Sequence, residues 1–254
     1  MMRWVSLAAV AALIGVVAAT PARANEEVAL PHQNWSFAGP FGTFDRAAAQ
    51  RGFQVYKEVC SACHSMKLAY YRDLSGIGLS EAQITAIAAS VTVPDIGDDG
   101  AAIDRPGLPS DHFRSPFANE KAARAANNGA APPDLSLIIK ARDGGADYLY
   151  ALLTGFSAAP STMKMGDGMN YNKYFAGNQI GMVTPLSEGR VTYADGTPAS
   201  VNQMAKDVTT FLAYVSEPET EARKALGVKV VLFFLLMTCV TYAVKRKIWA
   251  DVDH

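Results

Sequence analysis

Cys60-Ser61-Ala62-Cys63-His64 is the stretch on which the reading of this chain turns. Cys-x-x-Cys-His is the attachment sequence for a c-type haem. Two thiols about one helical turn apart can add to the two vinyl groups of the porphyrin, and the adjacent histidine then swings under the ring to bind iron. Two other uses of the spacing are weighed against this one. A thioredoxin-like pair stands at the start of a helix that follows a strand, and no strand pattern precedes Cys60. A zinc site needs further ligands, and the chain offers only Cys239, His32, His112 and His254.

The sequence on either side suits a haem domain. Ala49, Gly52, Phe53, Tyr56 and Cys60 recur at helical spacing, which predicts a helix leading into the motif. Far downstream, Ser200-Val201-Asn202-Gln203 has the form of a capping box. Val201, Met204, Ala205, Val208, Phe211, Leu212 and Val215 then make one apolar stripe, which Pro218 ends. Gly52 permits the two helices to approach closely. Between them lie Gly-, Pro- and Asn-rich segments with little periodicity. The fold expected is mainly α, a class I c-type haem domain with long loop insertions.

The ends place this domain. Residues 1–24 have a short basic start, an apolar run from Trp4 to Ala19 and the small-x-small pattern Ala22-Arg23-Ala24, the form of a secretory signal. Leu226 to Val244 is an apolar run with a single charge, Lys229, and as a helix it reaches roughly 28 Å, close to the hydrocarbon thickness of a bilayer. Lys245-Arg246-Lys247 follow, and basic flanks belong on the cytoplasmic side. The expected division is a signal at 1–24, a periplasmic haem domain at 25–224, a membrane anchor at 225–247 and a cytoplasmic tail at 248–254.

Composition narrows the partners. The whole chain carries 23 basic and 24 acidic side chains, a formal charge of −1, so nothing in it forms a broad basic field for nucleic acid. Residues 25–224 hold 17 Lys and Arg against 22 Asp and Glu, a net −5. Asp95, Asp98, Asp99, Asp104 and Asp111 fall in one Gly- and Pro-rich, loop-like stretch. Such a stretch is either a plain solvated loop or a field that steers a basic partner.

The sixth ligand of the iron decides the chemistry. An open position permits gas binding or peroxide chemistry, whereas a thioether closes it and raises the potential. His32 and His112 read as surface residues. Met204 belongs to the helical stripe, and Met163, Met165 and Met169 lie among Lys, Gly and Asp as loop residues do. Met182 differs, since it follows Gly177-Asn178-Gln179-Ile180-Gly181 and precedes Val183-Thr184-Pro185, a turn that brings backbone close to a flat ring. Spacing alone leaves Met182 level with the other candidates together.

The chain resembles the cytochrome c1 family, the haem-c subunits of quinol–cytochrome c oxidoreductases. The resemblance spans nearly the whole chain after residue 24. It rests on Cys60 to His64, on Ala123-Arg124-Ala125-Ala126-Asn127-Asn128-Gly129-Ala130, and on Pro132-Pro133-Asp134-Leu135-Ser136. The run Asp147-Tyr148 to Leu153-Thr154-Gly155, Gly181-Met182, Asp195-Gly196-Thr197-Pro198-Ala199, Ala205-Lys206-Asp207-Val208 and the tail anchor continue it. It implies one haem c attached through Cys60 and Cys63, with His64 and Met182 as axial ligands. Arg142 would meet a haem propionate, Pro132 and Pro133 would pack near the ring, and a nearby carbonyl would orient His64.

Further implications concern function. The resemblance implies an electron-transfer subunit that has no substrate chemistry of its own. It would work beside cytochrome b and a Rieske iron–sulfur subunit in a bacterial inner membrane, in a complex that is a dimer. A soluble cytochrome c type carrier would accept its electrons. The alternatives are an anchored mono-haem c protein of another redox complex and a haem peroxidase, whose acid–base group could only be His112.

Overall fold

The computed structural model describes residues 28–252, so the signal reading at 1–24 lies outside the described residues. Helix α1, Arg46–Glu58, begins where the Asp45 carboxylate accepts from the Ala48 N–H at 3.1 Å. Helices α2 (Glu81–Ala89), α3 (Glu120–Ala126) and α4 (Gly145–Thr154) follow, then α5 (Val201–Ser216) and α6 (Thr220–Ile248). Two small antiparallel hairpins interrupt them, β1 (Thr92–Ile96) with β2 (Ala102–Pro106) and β3 (Asn170–Tyr171) with β4 (Gln179–Ile180). The fold is the expected mainly-α one.

The core forms where α1 crosses α5. At the crossing a Cβ on Gly52 would run into the Asp207 carbonyl, so only glycine allows the two backbones to meet. Phe53 and Tyr56 of α1 stack against Phe211 of α5, with ring centroids 5.5 and 5.8 Å apart. Met204, Ala205, Val208, Phe211 and Leu212 are all buried, which is the stripe read from the sequence. Beside this apolar seam, Arg51 of α1 forks onto Asp207 of α5 through bonds of 2.9 and 3.0 Å. Asp207 is fully buried, so the pair is one whose halves depend on each other.

The start of α5 departs from the sequence reading in one respect. Ser200 caps the helix as expected, accepting from the Gln203 N–H at 3.2 Å. The reciprocal bond of a capping box is absent, because the Gln203 amide turns instead to the Asp207 carboxylate at 3.0 Å. The buried carboxylate is a charged acceptor for the Gln203 NH2, and that bond draws the side chain along the helix, away from the Ser200 N–H.

The acidic stretch is loop only in part: Asp95 and Asp104 lie on the β1–β2 hairpin, Asp98 and Asp99 in its turn and Asp111 beyond it. Arg105 gathers two of the five acids: Asp95, and Asp111 through bonds of 2.6 and 2.9 Å. That guanidinium holds the Asp111 carboxyl down at about 2 and lowers Asp95 as well. Asp98, Asp99 and Asp104 remain exposed.

Only Glu217, Pro218 and Glu219 separate α5 from α6. This helix has 29 residues, long and apolar enough to cross a membrane, and its apolar window is wholly unburied. It includes the stretch expected as an anchor and starts five residues earlier, at Thr220.

Candidate haem site

The haem motif leaves α1 by a single turn of tighter helix, Cys60–Ala62. Val59 caps α1 onto Val55, and then the N–H groups of Cys63 and His64 both donate to the Cys60 carbonyl, at 3.1 and 2.9 Å. Cys60 is half-buried and Cys63 exposed, and both are free thiols. Burial pushes the Cys60 thiol up to about 12, which keeps its proton on the sulfur at neutral pH.

His64 is held from outside its own segment. Its Nδ1 lies 2.8 Å from the Pro133 carbonyl oxygen. A carbonyl only accepts, so Nδ1 carries the proton and Nε2 keeps a free lone pair. Burial lowers the His64 pKa, which the Pro133 bond and Asp134 only partly offset, so the ring stays neutral at neutral pH. A neutral, oriented imidazole with Nε2 free is what a metal centre requires.

Asp134 secures this arrangement. One of its carboxylate oxygens accepts from the Ser65 hydroxyl at 2.7 Å and the Lys67 N–H at 2.9 Å, and the other accepts from the Ser136 N–H at 2.9 Å. Burial alone would raise the Asp134 pKa, but these donors outweigh it and hold the carboxyl below its ordinary range. The Leu135 N–H donates to the Ser65 carbonyl at 2.8 Å, and the Leu68 N–H to the Ser136 hydroxyl at 3.0 Å. Residues 64–68 and 133–136 are thereby laced together. The sequence pattern singles out Pro132 and Pro133 and leaves Asp134 without a role; an Asp directly after Pro-Pro, with Ser two residues on, is the signal of the turn it makes.

The other predicted ligand arrives on a separate support. Met182 is half-buried and follows the β3–β4 hairpin. The buried Asn172 ties that hairpin to α4, donating to the Leu152 carbonyl at 2.7 Å and accepting from the Tyr174 and Phe175 N–H groups. A Cβ on Gly181 would come within 3.2 Å of the Ala130 side chain. One short stretch, Ala130 to Pro133, therefore touches both the Met182 turn and the His64 ring. Pro132 is half-buried and Pro133 more exposed.

The remaining candidates fall as follows. Arg142 is exposed just before α4, its guanidinium bonded to the neighbouring Ala141 carbonyl at 2.7 Å. Met204 is fully buried in the α1–α5 seam, and Met169 is an exposed loop residue. His32 bonds Asp147 at 2.7 Å in a cluster that also takes the Trp35 indole. His112 is exposed and lies against the Tyr70 ring, centroids 3.9 Å apart. Two free thiols, a neutral imidazole with an open nitrogen and a thioether borne on a neighbouring turn form a donor set that fits a covalently bound haem.

Comparison with known proteins points to one family. The profile of the Cytochrome C1 family matches residues 35–252. The chain is 47% identical over 251 residues to "Cytochrome c1" of Rhodospirillum rubrum, covering 92% of each chain. It is 49% identical over 254 residues to "Cytochrome b/c1" of Bradyrhizobium diazoefficiens, covering 91% of this chain but only 37% of that longer protein. It is also 46% identical over 224 residues to "Cytochrome c1, heme protein, mitochondrial" of Saccharomyces cerevisiae, 87% of this chain and 72% of the relative.

Proposed function

The chain belongs to the cytochrome c1 family, and from that premise we propose that it is the electron-relay subunit of a quinol–cytochrome c oxidoreductase. Cys60 and Cys63 would hold the haem by thioether bonds, and His64 Nε2 and Met182 Sδ would ligate its iron. A haem so held supplies a one-electron Fe(III)/Fe(II) couple. The chain's own work is to fix the iron's coordination, to exclude exogenous ligands with Met182, and to balance propionate charge with Arg142. Pro132 and Pro133 would pack near the ring. The bond between His64 Nδ1 and the Pro133 carbonyl carries this reading, because it leaves Nε2 as the nitrogen free to bind a metal.

In this role the chain takes electrons from a Rieske iron–sulfur subunit beside cytochrome b and hands them to a soluble cytochrome c type carrier. The exposed acids of the β1–β2 hairpin favour a basic carrier by steering its approach. Helix α6 anchors the subunit with the haem domain on the periplasmic side of a bacterial inner membrane, and Lys245, Arg246 and Lys247 hold its end in the cytoplasm. Residues 1–24 direct export, and the complex is a dimer.

Purification through a tag on this chain from its native membrane tests the assignment. A dihaem cytochrome b and an iron–sulfur subunit are expected to accompany it. Recovery with an oxidase or photosynthetic centre instead would move the chain to another redox complex.

A further inference from the structure

Helix α6 is clamped to the haem domain at its root. Glu221 accepts from the Phe44 N–H at 2.7 Å and takes the Arg46 guanidinium through bonds of 3.0 and 2.7 Å. One turn further on, the Lys224 ammonium donates to the carbonyls of Phe37 at 2.6 Å and Gly42 at 2.9 Å. Between those carbonyls runs Ala38-Gly39-Pro40-Phe41-Gly42. The Thr43 N–H closes this loop on the Ser36 carbonyl at 3.0 Å, and the Ala38 N–H bonds the Trp35 carbonyl at 3.0 Å. A Cβ on Gly42 would run into the Ala38 carbonyl oxygen, so the turn is tight as well as closed.

The aromatic residues around the loop are packed inward, with one exception. Phe37 stacks on Trp35 and on Phe44, centroids 5.5 and 5.1 Å apart, and Phe44 is 5% exposed. Phe41, at the loop's tip, is 80% exposed. A lone exposed phenylalanine is ordinary on a surface facing water. This one lies elsewhere. Lys224, which pins its loop to the helix, stands two residues, about 3 Å of rise, before Leu226, where the apolar run begins. Headgroups extend several ångströms beyond the hydrocarbon, and aromatic side chains at that level partition into the boundary.

We propose that the loop 38–42 is a foot by which the haem domain rests on the lipid surface, with Phe41 inserted at the headgroup–acyl boundary beside α6. This rests on the reading of α6 as a membrane-spanning helix. A helix alone leaves its domain free to tilt, whereas a helix and a foot joined by Glu221 and Lys224 hold the haem domain at one inclination to the bilayer.

The test uses the full haem-loaded chain in phosphatidylcholine vesicles, with Cys239→Ser as background. A small environment-sensitive fluorophore is attached in turn at Phe41→Cys, Leu235→Cys and Asp98→Cys. Quenching by nitroxide-bearing lipid is compared with quenching by aqueous iodide. The expected result is lipid quenching at 41 several-fold above that at 98, with iodide quenching correspondingly reduced. A residue 41 that behaves like 98 overturns the proposal, and so does one shielded from both quenchers, which means a protein neighbour covers it. Failure of lipid quenching at 235 would overturn the premise about α6 separately, and the foot with it. Phe41→Trp with brominated lipid repeats the measurement without a label and should give the same ordering.

Discussion

The Pro133 carbonyl oxygen lies 2.8 Å from Nδ1 of His64, across 69 residues of sequence. The contact fixes the ring's tautomer and its rotation at once, and Asp134 holds the two strands of backbone that make it. Asp134→Ala removes a carboxylate that accepts from Ser65, Lys67 and Ser136, leaving those donors short of partners. The expected loss of stability is about 1–3 kcal/mol. Denaturant unfolding followed at the haem absorption band measures it, and Asp134→Asn should recover part of the loss.

The α1–α5 crossing allows no side chain at position 52. Gly52→Ala forces the helices apart at the Asp207 carbonyl, and a destabilisation of about 1–3 kcal/mol is expected from overpacking. Asp207→Ala removes Arg51's buried partner and leaves it only Asp195, at 2.9 Å, so it should cost more, up to about 3–5 kcal/mol. Paired unfolding curves of the two variants check the ranking.

The hairpin acids divide into two groups with different expected effects. Asp98→Asn with Asp99→Asn removes free charge and should slow reduction of a basic carrier at low ionic strength. Screening should abolish the difference near 1 M salt, where the Debye length is about 3 Å. Asp95→Asn removes one charge where the double variant removes two, and should change that rate less. Stopped-flow rates over an ionic-strength series distinguish the groups.

Acid stability follows from the same guanidinium. Asp111 titrates at about 2 in the folded chain against an ordinary value of 3.8. A depressed carboxyl stabilises the fold fully above its unfolded pKa, and that contribution is lost as pH falls through the folded one. Arg105→Gln should therefore lower the thermal midpoint by a constant amount above about pH 4, with the deficit shrinking toward pH 2. A deficit that does not change with pH would mean that the Arg105 contacts act by packing alone.

Much of this architecture is legible in the sequence because it is local. The haem motif, the α1 and α5 stripes and the apolar anchor are each written in consecutive residues, and each appears where its pattern predicts. The β1–β2 hairpin is hidden, because Pro94, Gly97, Asp98, Asp99 and Gly100 read as loop while the strands are joined through Arg105, Asp95 and Asp111. Gln203 is misread for a related reason: a capping box is a local rule, and the buried Asp207 on the same helix overrides it. The hold on His64 is a backbone carbonyl, which any residue supplies. No spacing rule announces it, and only the fold brings positions 64 and 133 together.

The central claim is that His64 and Met182 together close the iron's coordination, and redox titration of purified wild type beside Met182→Leu, with spectra recorded under carbon monoxide, tests it most directly. Wild type is expected to have a high potential and to ignore the gas. The variant is expected to bind carbon monoxide, with a potential lower by on the order of 0.1–0.3 V, part of the roughly 0.8 V that axial ligation spans. A wild type that already binds carbon monoxide, or a variant whose potential does not move, would contradict it.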